Sequence, residues 1–153
     1  ICAPDMVALN IGENHKTAKN IEERRAFTLS IVDTPHIEAA DFFGIATGNK
    51  MADKFERSGL TAVRSDHVDA PVVEEFPVTL ECEVVAIQDD HGHNRVVGKI
   101  VNVLADEEVL DENGKVDPTK LNAFVFDQFQ NGYYSIGEKV GQAWHAGTGL
   151  MRK

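Results

Sequence analysis

The chain has 153 residues, 42% of them hydrophobic, enough for one globular domain with a sizeable core. Its 25 acidic and 15 basic residues leave a formal net charge of −10. Nucleic acid and anionic lipid are held by clustered Lys and Arg, so this balance argues against both, although a local basic pocket for one phosphate group stays open.

Cys2 and Cys82 make neither a disulfide framework nor a metal-ligand pattern. Ile1-Cys2-Ala3-Pro4-Asp5 carries no basic n-region and is interrupted by a proline. No apolar stretch approaches the roughly 20 residues that span a bilayer as a helix. These features predict a cytoplasmic protein. The chain opens without Met directly before a hydrophobic run, so a segment upstream of it is expected to have been lost.

Met6-Val7-Ala8-Leu9-Asn10-Ile11, closed by Gly12, predicts a buried strand. Thr17 to Arg25 has helical character with Thr17 as a candidate cap, although Asn20 replaces the Glu or Gln of a capping box. Phe27 to Ile31 alternates apolar and polar residues, as a half-buried strand does. Pro35 opens a second helical stretch, with Ile37, Ala40 and Phe43 near helical spacing and Thr47-Gly48-Asn49 as its break. A short helix near Met51 to Arg57 precedes an extended region from Leu60 to Pro77.

The strongest β pattern follows. Val78, Leu80, Cys82 and Val84 alternate with Thr79, Glu81 and Glu83, which predicts a two-faced strand with Cys82 as a small buried residue. Asp89-Asp90-His91-Gly92 supplies a turn, and Val96 to Leu104 returns as the second strand of a hairpin. Asp111-Glu112-Asn113-Gly114 is another turn, and Pro118 begins a helix expected to run to about Phe126. Tyr133-Tyr134 starts a Gly-rich C-terminal segment. With no repeat or linker, residues 1–153 read as one domain.

Chemistry-bearing motifs are few. The six histidines lack the close helical pair or Cys-rich knuckle of a zinc site. Lys115 stands where an EF-hand needs an oxygen ligand. No GxGxxG, GxxxxGK[ST] or GxSxG occurs. Lys54 follows the Thr47-Gly48-Asn49 break, where an ammonium group could meet a phosphate, or simply be a solvated helix lysine. Thr17 at a helix start suits the same anion or a plain N-cap.

The order of segments resembles the flavin reductase-like FMN-binding proteins. His15-Lys16-Thr17-Ala18-Lys19-Asn20-Ile21 after an apolar strand is similar to that family's strand, Thr and Asn-Ile region. Thr47-Gly48 through Asp53-Lys54-Phe55 to Gly59-Leu60 resembles its small-Gly, Asp-Lys-Phe and Gly-Leu stretch. Ala70-Pro71, Leu80-Glu81-Cys82, His93 before Gly98, and Gly132-Tyr133-Tyr134 with Ile136-Gly137 continue the likeness in order. The resemblance implies an α+β protein, mainly β: a split β-barrel that acts as a homodimer with FMN near the subunit interface. It implies Thr17 and Lys54 at the FMN phosphate, His93 close to the flavin, and Phe126 beside the isoalloxazine ring. NAD(P)H or a redox protein would be the electron donor. The family's Ser/Thr-bearing strand and loop, which also contact the cofactor, would precede the Pro4 region and have no counterpart in this sequence.

Overall fold

The computed structural model describes residues 1–151. In chain order its main elements are β1 (Met6–Gly12), α1 (Lys16–Arg24), β2 (Ala26–Ile31), α2 (Ile37–Ile45), α3 (Lys54–Arg57), β3 (Ala62–Arg64), β4 (Pro71–Val73), β5 (Val78–Asp90), β6 (His93–Ala105), α4 (Pro118–Leu121), β7 (Phe124–Asp127) and β8 (Gly132–Ser135). Strand outweighs helix, in keeping with the expected α+β class.

The predicted hairpin is the backbone of the molecule. β5 and β6 run 13 residues each and turn through His91 and Gly92, with φ of 51° and 85°. Positive φ at both turn residues follows the right-handed twist of the flanking strands. Asp89 and Asp90, read as turn residues from sequence, instead pair with Asn94 and His93.

Two register shifts bend this hairpin. Val101 is left without a cross-strand partner between Asn102 and Ile100, and Val85 between Val84 and Ala86. An extra residue on one strand raises the local twist, and one on each strand curls the pair along its length. β1 joins β6 and β2 joins β5, both antiparallel, giving the order β1-β6-β5-β2. The outcome is a curled antiparallel half-barrel with β1 and β2 on its edges.

The concave side holds Val7, Ile21, Phe27, Cys82 and Val96, with Leu9, Leu29, Leu80, Val84, Ile87 and Ile100 against them. α1 closes one end through Ala18 and Ile21. Cys82 is fully buried, as expected, and burial pushes its thiol up to about 11, whereas Cys2 is exposed. One thiol of the native protein should therefore react quickly with a disulfide reagent at pH 8, and the second only after denaturant is added. Two fast equivalents would contradict this packing.

Three sequence expectations change. Thr17 lies inside the first turn of α1; His15 occupies the cap position and makes no side-chain capping bond. Residues 34–36 form a separate 3₁₀ turn before α2, so Pro35 serves that turn and not the helix itself. The helix at Pro118 stops at Leu121 because Asn122 adopts φ 50°, the left-handed conformation that ends helices. Phe126 consequently stands on β7, paired with Tyr133 of β8. Asp117 caps α4, accepting from the Thr119 and Lys120 N–H groups, and Pro118 stands in the first turn as expected.

The polar face of β5 is not solvated at its start. The β3–β4 hairpin and the loop from Ser65 to Val68 cover it, so Thr79 and Glu81 are each only 1% exposed. Thr79 shares a hydrogen bond with Ser30 at 2.8 Å. Asn102 Nδ2 donates to Glu81 Oε2 at 2.5 Å, and the Ser65 hydroxyl donates to Oε1. Ser65 Oγ in turn accepts from the His67 and Val68 N–H groups. Alternation placed these residues on one face correctly, but the cover comes from a segment distant in sequence.

Candidate functional site

A cleft of about 910 Å³ opens between α1, β2 and the β3–β4 hairpin. Lys16, Thr17, Asn20, Arg24, Thr28 and Arg64 line it together with the acidic Glu23 and Asp69, and Phe27, Val63 and Pro71 are among its apolar residues. Its size lies toward the upper end for small-molecule and cofactor pockets. Arg24 is taken up by Asp69 across the cleft at 2.9 Å. Lys16 and Arg64 have no salt-bridge partner among the described residues.

The start of α1 presents donors of the kind that suit an anion. No side chain caps it and no acidic residue sits in its first turn, so the positive end of the helix faces outward with Lys16, Thr17 and Lys19 on it. First-turn N–H groups lack intrahelical acceptors, and a negative ligand satisfies both them and the helix dipole. Thr17 adds a hydroxyl at the same place. These donors match a phosphate monoester, so the phosphate end of FMN fits the residues present.

Lys54 does not line the cleft; it reaches the α1 start indirectly. Its Nζ donates to the Phe43 carbonyl at 2.7 Å and lies 5.6 Å from the Phe43 ring centre. Phe43 stacks on Phe55 at 5.9 Å. Burial beside these rings lowers the Lys54 pKa from its ordinary value. A desolvated ammonium with N–H bonds to spare gains more from an incoming anion than a hydrated one does. The loop before it packs on the turn into α1: Asn49 Nδ2 donates to the Asn14 carbonyl at 2.7 Å, and Gly48 lies against the Lys16 side chain.

His93 opens β6, exposed, opposite both Asp90 and Gly12. Gly12 faces the His15 ring and ends the strand that leads into α1, which puts His93 at the same end of the half-barrel as Thr17. Phe126 is 53% exposed, its ring 5.6 Å from that of Tyr133. Tyr133 donates its hydroxyl to Asp41 Oδ1 at 2.7 Å and so ties the β7–β8 hairpin to α2, the helix that carries Phe43. Thr17 is thus in the cleft, Lys54 and His93 border the turn that feeds it, and Phe126 stands on a hairpin linked to them through α2.

Lys16 and Arg64 of the cleft, and the Tyr133–Asp41 tie, had no signal of their own in the sequence. Lys16 was legible only as the neighbour of Thr17. Among the described residues, no three His, Cys, Asp or Glu side chains come together as a metal site, and no helix is long and apolar enough to cross a membrane.

Residues 2–130 match the family model for the flavin reductase like domain. This chain belongs to the flavin reductase-like domain family. Flavoredoxin of Desulfovibrio vulgaris (Miyazaki F) is 36% identical to it, with a TM-score of 0.88, covering 96% of this chain and 79% of its own. A flavin reductase candidate with a split barrel domain, from Shewanella frigidimarina NCIMB 400, is 25% identical with a TM-score of 0.78, over 91% of this chain and 70% of its own. A curated protein of Archaeoglobus fulgidus is 29% identical over 115 residues, 75% of this chain and 63% of its own length. The chain spans 36%, 53% and 63% of three of the curated relatives it matches. The curled sheet of this flavin reductase-like domain is accordingly of the split-barrel kind.

Proposed function

We propose that this domain binds FMN and works in electron transfer as a cytoplasmic homodimer, accepting hydride equivalents from NADH or NADPH. The observation that carries the reading is the uncapped, lysine-bearing start of α1 at the mouth of the cleft, beside the loop that leads to Lys54. In this reading Thr17 and the α1 N–H groups hold the phosphate, and Lys54 neutralises part of its charge. Phe126 offers an aromatic face to the isoalloxazine ring, and His93 a ring N–H to its pyrimidine side. Bound FMN supplies hydride and single-electron chemistry, so no acid–base side chain is required of the protein. The flavoredoxin likeness, at 36% identity, supports a flavin as the ligand.

That same likeness favours a second reading, a flavoredoxin-type carrier that exchanges electrons with protein partners and oxidises no nicotinamide itself. A net charge of −10 suits weak, salt-sensitive docking to basic redox proteins. Anaerobic mixing of the FMN-loaded protein with NADH or NADPH separates the two. Bleaching of the flavin band on the time scale of turnover supports the nicotinamide reading; a band that persists for minutes overturns it and leaves the carrier.

Lys54→Ala tests the phosphate role. Removing a charge-assisted bond is expected to cost about 1.5–3 kcal/mol, which is roughly 10- to 100-fold in the FMN Kd by fluorescence titration. Unchanged affinity in a variant that melts like the parent would remove Lys54 from the site.

A further inference from the structure

Two Asn-Gly pairs occur in the chain, Asn113-Gly114 and Asn131-Gly132. In such a pair the glycine's backbone nitrogen can attack the side-chain carbonyl carbon of the asparagine, because glycine has no Cβ to obstruct the approach. By sequence the two pairs are alike. By structure they differ.

Asn113 and Gly114 are both exposed, in the loop that Asp111 and Lys115 close. The Asn113 backbone N–H donates to Asp111 Oδ1 at 2.8 Å, but its side-chain amide makes no hydrogen bond among the described residues. Gly114 has φ 71°, and nothing lies within 4 Å of where a Cβ would stand. Its N–H makes a single turn bond, to the Asp111 carbonyl at 3.0 Å. One turn bond in an exposed loop opens at little cost, and it alone holds the attacking nitrogen.

Asn131-Gly132 is held more firmly. The Asp127 carboxylate accepts from the Phe129 and Gln130 N–H groups within the same hairpin end. Bonded and non-bonded pairs alternate along an antiparallel ladder. The Ile136 N–H donates to the Ala123 carbonyl, so Asp127 and Gly132 are a pair that exchanges both backbone bonds. The Gly132 nitrogen is thus committed to the β7–β8 ladder. Gly132 is also half-buried, with the Tyr134 ring 3.0 Å from where a Cβ would stand.

We propose that Asn113 is a site of spontaneous deamidation in the folded protein, whereas Asn131 is protected. The Gly114 nitrogen gives its proton to solvent base and bonds to Asn113 Cγ. The Cγ–Nδ2 bond breaks, and ammonia leaves with a proton from solvent as a succinimide ring closes. Water then opens the ring at either carbonyl, leaving aspartate or isoaspartate at position 113 with no net oxidation or reduction. Each event adds a negative charge beside Asp111 and Glu112, on a chain already at −10. Isoaspartate also lengthens the backbone by a carbon atom, inside a loop closed by the Leu110–Val116 bridge.

The full chain is incubated for several weeks in mildly alkaline buffer, one sample native and one unfolded in guanidinium. Peptide mapping by liquid chromatography and mass spectrometry reads the asparagine, aspartate and isoaspartate forms at both positions. In the unfolded chain the two positions should convert at similar rates. In the native protein position 113 should convert at least about tenfold faster than position 131, since a turn bond opens more easily than a packed ladder. Aspartate and isoaspartate should both appear at 113, because ring opening yields both. Asn113→Gln, whose longer side chain would have to close a larger ring, should lose the acidic form at that position. A native ratio below tenfold, or a native position 113 still intact when the unfolded chain has converted, would overturn the proposal. So would aspartate without isoaspartate, or an Asn113→Gln protein that turns acidic there as fast as the parent. No readout uses flavin, so the outcome is separate from that of the cofactor reading.

Discussion

Gly98→Ala is expected to destabilise the protein by about 2–3 kcal/mol, the upper range for overpacking a filled core. A Cβ on Gly98 would lie 2.5 Å from Phe27 Cζ and 2.6 Å from Cε1, and 3.3 Å from Cys82 Cβ. Phe27 is 5% exposed in the concave core and Cys82 is fully buried, so the added methyl meets packed atoms on both sides. Either the ring leaves its rotamer or β6 moves away from β2 and β5. The measurement is urea unfolding, read as a lower midpoint with an unchanged slope. Gly44→Ala is the matched control. Gly44 lies in α2 with nothing within 4 Å of the added Cβ, and helix propensity there favours alanine by about 0.5–1 kcal/mol. A destabilised Gly44→Ala, or a neutral Gly98→Ala, would show that the core is packed differently.

Glu81→Ala is expected to cost about 3 kcal/mol, because it strands partners as well as deleting a side chain. The carboxylate is 1% exposed and accepts from both Ser65 and Asn102. Without it, the half-buried Asn102 amide and the buried Ser65 hydroxyl proton lose their acceptor. The loop from Ser65 to Val68, which Ser65 organises by accepting two backbone N–H groups, loses its anchor to the sheet. Because the β3–β4 hairpin beyond that loop walls the cleft, ligand affinity should fall along with stability. Hydrogen exchange should quicken first at residues 65–73. Glu81→Gln, which keeps an acceptor for one partner, should lose less than half as much. Equal losses for Ala and Gln would mean that the acceptor geometry is irrelevant and burial alone sets the cost.

Much of the sheet was legible locally. The period-two pattern of Val78 to Val84 and the turn at His91-Gly92 specify a hairpin from neighbours alone, and Cys82 fell on the inward face as its spacing required. Helices were less so, since their ends depend on single residues. Asn122 takes a left-handed φ and cuts α4 to four residues, and Phe124 to Phe126, expected to end that helix, are aromatic and β-branched residues that favour a strand. Pairing with Gly132–Ser135 decided for the strand. Of the site residues, Thr17 and Lys54 stood out as chemistry near a helix start, but no spacing rule reports that the Thr47–Met51 loop folds back onto Asn14 and Lys16.

The sequence by itself determined the β5–β6 hairpin, the inward set of apolar residues, an acidic surface and the family to which the chain belongs. These rest on contacts between near neighbours or on residue order, both of which a one-dimensional pattern records. Only the tertiary structure decided that Glu81 is buried, that Gly98 must be glycine beneath the Phe27 ring, and that Lys54 is partly desolvated against Phe43. Each of these depends on which distant segment arrives to cover or crowd a residue, and burial is a property of that arrival rather than of the residue.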